Sequence, residues 1–258
     1  RVVKDEDLGP LIATDMTRCI HCTRCVRFGA EIAGIRELGA TGRGEDLRIG
    51  TFVAHTVSHE LSGNIIDLCP VGALTSKPYR YRARSWELTQ ASGVAPHDAV
   101  GSNVHFHIRG NRVMRVHPKD NEAVNETWIS DRDRFSYQGI NSDDRLLHPM
   151  VKQDGEWQTA EWQDVLVLVA ERLKAAGGDG LGALIAPSAT LEEMYLAQKL
   201  VRGLGGSSID TRLRQLDFRG DASDAPLPWL GISIADLEKQ EALLLIGTDI
   251  RQEQPLLA

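Results

Sequence analysis

Three of the chain's four cysteines fall within seven residues, Cys19, Cys22 and Cys25 in CIHCTRC, and the fourth, Cys69, follows 44 residues later in LCPVGAL. Ligands spaced every third residue let one tight turn of backbone reach three corners of an iron-sulfur cube. The fourth corner faces away and needs a donor from elsewhere in the chain. Pro70 removes an N–H and fixes its own φ, so the backbone leaves Cys69 in a defined direction without a helix running into the ligand. Gly72 and Ala73 are small, as close approach to a bulky inorganic group requires. The pattern predicts one 4Fe-4S cluster held by Cys19, Cys22, Cys25 and Cys69, and with it an electron carrier.

Two other uses of cysteine compete with this reading. Three thiols packed this closely, in a chain with no secretory signal, favour metal over disulfide bridges. A structural zinc site could use four thiolates, or three with the imidazole of His21. Zinc modules, however, usually pair one CxxC with a second close pair, whereas Cys69 is single and followed by proline. Arg18, Arg24 and Arg27 surround the motif, where they either offset an anionic ligated unit or form a solvated charged face.

The 258 residues allow one or two compact domains with room for a small third, and 42% hydrophobic content supplies real cores. A net charge of −7 argues against general nucleic-acid binding. No stretch approaches the roughly 20 apolar residues of a spanning helix, so membrane association is expected only through partners. The sequence starts at Arg1 and stops at Ala258, just after ALLLIGTD, and reads as a piece of a longer polypeptide.

Three textures follow one another. Residues 1–80 hold all the cysteine. Within them Gly39–Gly44 reads as a plain flexible loop, lacking the ending of a phosphate cradle. Thr51–Leu61 reads as a short helix with His55 and His59 on an exposed polar face. From 81 to 145 the period becomes two. Val104, Phe106 and Ile108 alternate with His105 and His107, Arg109-Gly110-Asn111 turns the chain, and Met114 and Val116 continue in a second strand. This predicts surface positions for both histidines and a small core closed by Trp128, Phe135 and Tyr137. From 146 to 258 the texture is α/β. Trp162, Val165, Leu166, Val169 and Leu173 mark a helix face ended by Gly177-Gly178, and Thr190 with Glu193 forms a capping box for a helix stopped by Gly205-Gly206. Leu181–Ala186 and Ala242–Gly247 read as buried strands of an incomplete doubly wound sheet. Pro187-Ser188 and Thr248-Asp249 then lie at strand ends where nucleotides can bind, though without a GxGxxG or Walker motif.

TRCIHCTRCVRF, LCPVGAL, RFSYQGINSDDRL, YLAQKLVRGLG and IDTRLRQLDF together resemble the large iron-sulfur subunit family of the proton-pumping NADH-quinone oxidoreductase, respiratory complex I. The resemblance covers essentially the whole chain. It implies a multidomain α+β architecture: a ferredoxin-like 4Fe-4S-binding segment, a small β-rich domain, and the start of an α/β molybdopterin-oxidoreductase-like domain with no molybdenum cofactor. It also implies that a 2Fe-2S domain and a further 4Fe-4S site precede Arg1 in the full polypeptide. Some family members carry another 4Fe-4S cluster in the small β domain. Here Thr89–His97 contains no cysteine and Ser130 stands at the last ligand position, so one cluster is expected in this chain. The family implies one-electron relay with no bond-making site, partners among the NADH/FMN-binding and quinone-side iron-sulfur subunits, and a peripheral place at the cytoplasmic face of a bacterial inner membrane or in the mitochondrial matrix. Against it stand the front part of a molybdenum or tungsten oxidoreductase such as a formate dehydrogenase, an electron-transferring part of a hydrogenase, and a zinc-stabilised interaction module.

Overall fold

The computed structural model describes residues 5–51, 56–212, 219 and 229–258. They belong to two units, one built from Arg1–Asn141 with Gly231–Ala258 and the other from Ser142–Leu230. In chain order the first unit begins with β1 (Ile12–Thr14), α1 (Arg24–Arg27), β2 (Leu38–Thr41), β3 (Arg48–Thr51), α2 (Asn64–Leu68) and β4 (Leu74–Ser76). β1 pairs antiparallel with β4, Ile12 opposite Ser76 and Thr14 opposite Leu74. That pairing brings the stretch just before Cys19 beside the stretch just after Cys69. Beneath it lies a core that includes Ile12, Phe28, Ile49, Ile65 and Leu74. Ile12 and Ile65 are each 1% exposed, and full burial of such a side chain stabilises by about 1.5–3 kcal/mol.

A three-stranded antiparallel sheet follows, β5 (Thr89–Val94), β6 (Asn103–Arg109) and β7 (Arg112–Pro118), in the order β5-β6-β7. The β6–β7 turn is two residues long, Gly110-Asn111, since Arg109 pairs with Arg112. Gly110 takes φ 60°, the left-handed conformation that tight hairpin turns require. The inward face supplies Val104 and Val116 to a second core with Ala95, Ile129 and Tyr137. α3 (Asp131–Phe135) is capped by Ser130, whose Oγ accepts from the amide of Asp133 at 3.1 Å. The later segment of this unit returns to it. Arg251 Nη2 lies 2.7 Å from Glu60 Oε2, Gln252 also donates to Glu60, and the amide of Ala99 donates to Gln254 Oε1.

The second unit holds the hairpin β8 (Met150–Gln153) and β9 (Glu156–Thr159), then α4 (Trp162–Ala176), β10 (Gly182–Leu184), α5 (Leu191–Gly203) and β11 (Ser208–Asp210). The expected helix ends are present. α4 stops at Gly177, and Thr190 with Glu193 closes a capping box at α5. β10, α5 and β11 form a strand-helix-strand unit with the two strands parallel, Ala183 opposite Ile209.

Several sequence expectations change. Gly39–Thr41 is not loop but part of β2, because its backbone pairs with Arg48–Gly50; only the following Gly42–Leu47 turns. No helix spans the described residues of Thr51–Leu61; the helix starts three residues later, at Asn64. His55 lies outside the described residues, and His59 is 6% exposed, not on a polar surface face. Trp128 leaves the small β core and packs on Phe28, ring centroids 5.0 Å apart. Phe135 stays half-buried, so of the three expected aromatics only Tyr137 closes that core. His105 and His107 are half-buried; Arg115 Nε donates to His107 Nδ1 at 2.8 Å, and the His107 ring stacks on His117 at 4.8 Å. The expected strand at Leu181–Ala186 shrinks to Gly182–Leu184 and has an exposed edge. Ala242–Gly247 is not a strand: it has no ladder partner among the described residues, and Leu244 and Ile246 are more than 80% exposed.

Candidate metal centre

Cys19, Cys22, Cys25 and Cys69 line one small pocket, whose other walls include Met16, Ile20, Ile49, Val71 and Leu74. Local backbone rules put them there. His21 and Thr23 adopt φ 53° and 61°, so the chain winds left-handed through the two-residue spacers and turns successive cysteines toward one side. Thr23 Oγ1 donates to the carbonyl of Cys22 at 2.8 Å and steadies that turn. α1 starts at Arg24, which places Cys25 in its first turn. On the far side α2 ends at Leu68 because a residue before proline avoids the helical region; Cys69 is extended at φ −76°, ψ 106° and swings out of the helix. Gly72, at φ 65°, lets the chain fold back beneath it.

The pocket's chemistry suits an iron-sulfur group. The backbone amide of His21 donates to Cys19 Sγ at 3.4 Å. Burial pushes the Cys25 thiol up to about 11, with Cys19, Cys22 and Cys69 adding to the rise and the Val26 amide opposing it. A metal bound there would let this half-buried thiol give up its proton. Among the described residues no three Cys, His, Asp or Glu side chains converge on one point as a single ion requires.

The nearby arginines differ in role. Arg18 Nε pairs with Asp15 Oδ2 at 2.8 Å, and Arg27 makes a two-pronged pair with Glu31 on the exposed surface. Of the three, only Arg24 lines the pocket. His21 is exposed, its ring outside the pocket wall. His59 is fixed elsewhere: its Nδ1 accepts from the Leu61 amide at 3.3 Å and its Nε2 lies 3.9 Å from Glu37. Burial holds its pKa below the usual value, outweighing the pull of Glu37.

Sequence reasoning missed a buried polar layer directly behind α2. Asn64, 1% exposed, donates through Nδ2 to the carbonyls of Leu61 (2.9 Å) and Ile129 (2.8 Å), while its Oδ1 accepts from the Ile129 amide (3.2 Å) and Arg134 Nη2 (3.1 Å). Arg134, 4% exposed, also pairs with Asp67 Oδ2 at 2.6 Å. Asp131 accepts from Ser62 Oγ and, at 2.6 Å, from the Gly63 amide; burial nevertheless raises its pKa. In SDRDR the alternating charges look like a solvated surface, and only the flanking apolar Ile129 hints otherwise.

Residues 9–75 match the family model of the NADH-quinone oxidoreductase subunit 3 ferredoxin-like domain. Residues 88–138 match that of the NADH-ubiquinone oxidoreductase NDSU1/NuoG-like 4Fe-4S domain, and 145–258 that of molybdopterin oxidoreductase. The chain is 41% identical over 257 residues to the G subunit of NADH-quinone oxidoreductase from Rickettsia felis, covering all of this chain and 38% of the relative. It is 42% identical over 276 residues to the NADH-ubiquinone oxidoreductase 75 kDa subunit of Reclinomonas americana, covering 39% of that protein. Identity to the mitochondrial NADH dehydrogenase (ubiquinone) iron-sulfur protein 1 of Solanum tuberosum is 43% over 254 residues, 98% of this chain and 34% of the relative. The chain thus spans little more than a third of the length of these curated relatives. The matched domains and the mixed α and β fold define an iron-sulfur oxidoreductase subunit. Among such proteins, identities of 41–43% across all or nearly all of this chain are decisive: the chain belongs to the family of the NADH-quinone oxidoreductase G subunit and its mitochondrial 75 kDa counterpart.

Proposed function

We propose that this chain relays single electrons within NADH-quinone oxidoreductase, through one 4Fe-4S cluster held by Cys19, Cys22, Cys25 and Cys69. The observation that carries the reading is the pocket shared by all four cysteines, three from one left-handed turn and one from the end of α2. When bound, the cluster supplies the one-electron chemistry, and the chain supplies its placement and surroundings. Cys19, Cys22 and Cys25 anchor one side, and Cys69 closes the other. The apolar wall formed by Met16, Ile49 and Leu74 lowers the polarity on the inner side of the site. The His21 amide, 3.4 Å from Cys19 Sγ, stabilises added negative charge on that sulfur. Arg24 at the pocket wall favours the reduced state by its charge.

The organisation we infer is a cluster-binding segment over 1–80, a small β domain over 81–145 without cluster ligands, and part of a cofactor-less molybdopterin-oxidoreductase-like domain over 146–258. Residues 88–138 hold no cysteine, which supports a single cluster in this chain. Among the described residues no helix is long and apolar enough to cross a membrane. A peripheral place beside NADH/FMN-binding and quinone-side iron-sulfur subunits, on the cytoplasmic or matrix side, accords with that.

The test is anaerobic purification with iron, acid-labile sulfide and zinc assays and low-temperature EPR of the reduced protein. About four irons, as one cube implies, with a signal lost in Cys69→Ala, is the expected result. A colourless, EPR-silent protein holding zinc would overturn the reading.

A further inference from the structure

The small β domain matches a 4Fe-4S domain family yet has no cysteine between residues 88 and 138. What it does have, at its end, is the segment Ser130–Arg134, whose Ser130, Asp133 and Arg134 are buried and whose Asp131 and Arg134 contact the helix that delivers Cys69 or the residues just before it. Arg134 is the centre of that contact. Its Nη2 lies 2.6 Å from Asp67 Oδ2, two residues before Cys69, and 3.1 Å from Asn64 Oδ1 in the first turn of the same helix. One guanidinium therefore grips both ends of α2. Asp131 holds the residues just ahead of the helix, through Ser62 and the Gly63 amide. The approach is close enough to demand glycine: a Cβ on Gly63 would lie 2.7 Å from Arg134 Cδ and 2.8 Å from Asp131 Oδ1.

We propose that Arg134 is a positioning residue for the cluster: by clamping Asn64 and Asp67 it fixes the orientation of α2, and so the direction in which Cys69 presents its sulfur. This rests on the assignment of Cys69 as a ligand. The physical case is that α2 is a five-residue helix, too short to hold its own shape in water. It ends at the residue before the ligand, so any freedom in the helix becomes freedom at the thiolate. A buried arginine whose Nη2 is bonded at once to a carboxylate and an amide oxygen removes that freedom at both helix ends. The domain's role toward the cluster is thus mechanical and electrostatic, exerted from outside the ligand set.

The experiment uses the assembled enzyme in membranes, with Arg134→Met, Arg134→Lys, Asp67→Asn and Cys69→Ala in this chain, and Arg112→Met as an exposed control. The readouts are the g-values and midpoint potential of the cluster signal, beside its spin amount. Arg134→Met and Asp67→Asn are expected to broaden or shift the g-values and move the potential, with Arg112→Met matching wild type. Arg134→Lys restores the charge, so it should bring the potential back toward wild type. Wild-type g-values and potential in both Arg134→Met and Asp67→Asn, at undiminished spin amount, would overturn the proposal. If Arg134→Met abolishes assembly, Asp67→Asn decides alone, since it breaks the same pair with a smaller change of volume. Persistence of the signal in Cys69→Ala would instead refute the ligand assignment, and with it the premise.

Discussion

Replacing Asn64 by alanine should open the contact between α2 and the small β domain. The side chain is 1% exposed and satisfies both the amide and the carbonyl of Ile129, itself fully buried. Alanine leaves those two backbone groups without partners and no route for water to reach them. Each orphaned buried polar group costs about 1–3 kcal/mol. Arg134 keeps Asp67, so its loss is partial. The sum is a local destabilisation of about 2–4 kcal/mol, allowing for some relaxation at the deleted side chain. Hydrogen exchange resolves this where global unfolding of a chain with two units would not. The Ile129 amide and the α3 amides should lose protection by roughly 30- to 1,000-fold, at about tenfold per 1.4 kcal/mol, with β8 and β9 unchanged. A loss of protection at Ile129 smaller than about fivefold, or an equal loss in β8 and β9, would refute the reasoning.

Thr190→Ala removes the side-chain half of the α5 capping box, the bond that its Oγ1 accepts from the Glu193 amide, and should cost about 1 kcal/mol, seen as faster amide exchange in the first turn of α5. His117 gives a pH dependence. Burial, with Arg115, Arg134 and His107 assisting and Asp67 at 3.7 Å opposing, pushes its pKa down to about 4. The folded state then holds this imidazole neutral while the unfolded chain protonates near 6.5. Stability is therefore full above pH 6.5 and falls as pH drops toward 4, by about 2 kcal/mol or less, since the side chain keeps some contact with solvent. Denaturant midpoints across that window should slope in the wild type and flatten in His117→Gln; equal slopes would remove His117 as the cause.

The cysteine pocket was legible because its chemistry is written locally: ligand spacing, a proline after the last ligand, and small residues beside it. The ends of α4 and α5 were legible for the same reason, since caps and glycines act within one turn. What joins distant segments was not. Nothing near Asn64 or Arg134 in sequence announces that they meet, and SDRDR carries the charge pattern of a surface. Trp128 is an aromatic within the small β domain whose partner, Phe28, lies 100 positions earlier. Ala242–Gly247 shows the opposite failure: a strand needs a neighbour as well as an apolar run, and Ser208–Asp210 is the segment that pairs with β10.

Glu60, bonded to residues 191 and 192 positions further along the chain, sets a timetable for synthesis. At roughly 5–20 residues per second, the cysteine segment leaves the ribosome tens of seconds before Arg251 and Gln252 arrive to occupy that carboxylate. During that interval the Glu60 carboxylate stands without the two partners that later hold it. The returning segment then acts as a late lock, so truncation before Gly231 should leave β1 and β4 paired while the amides around Glu60 exchange faster.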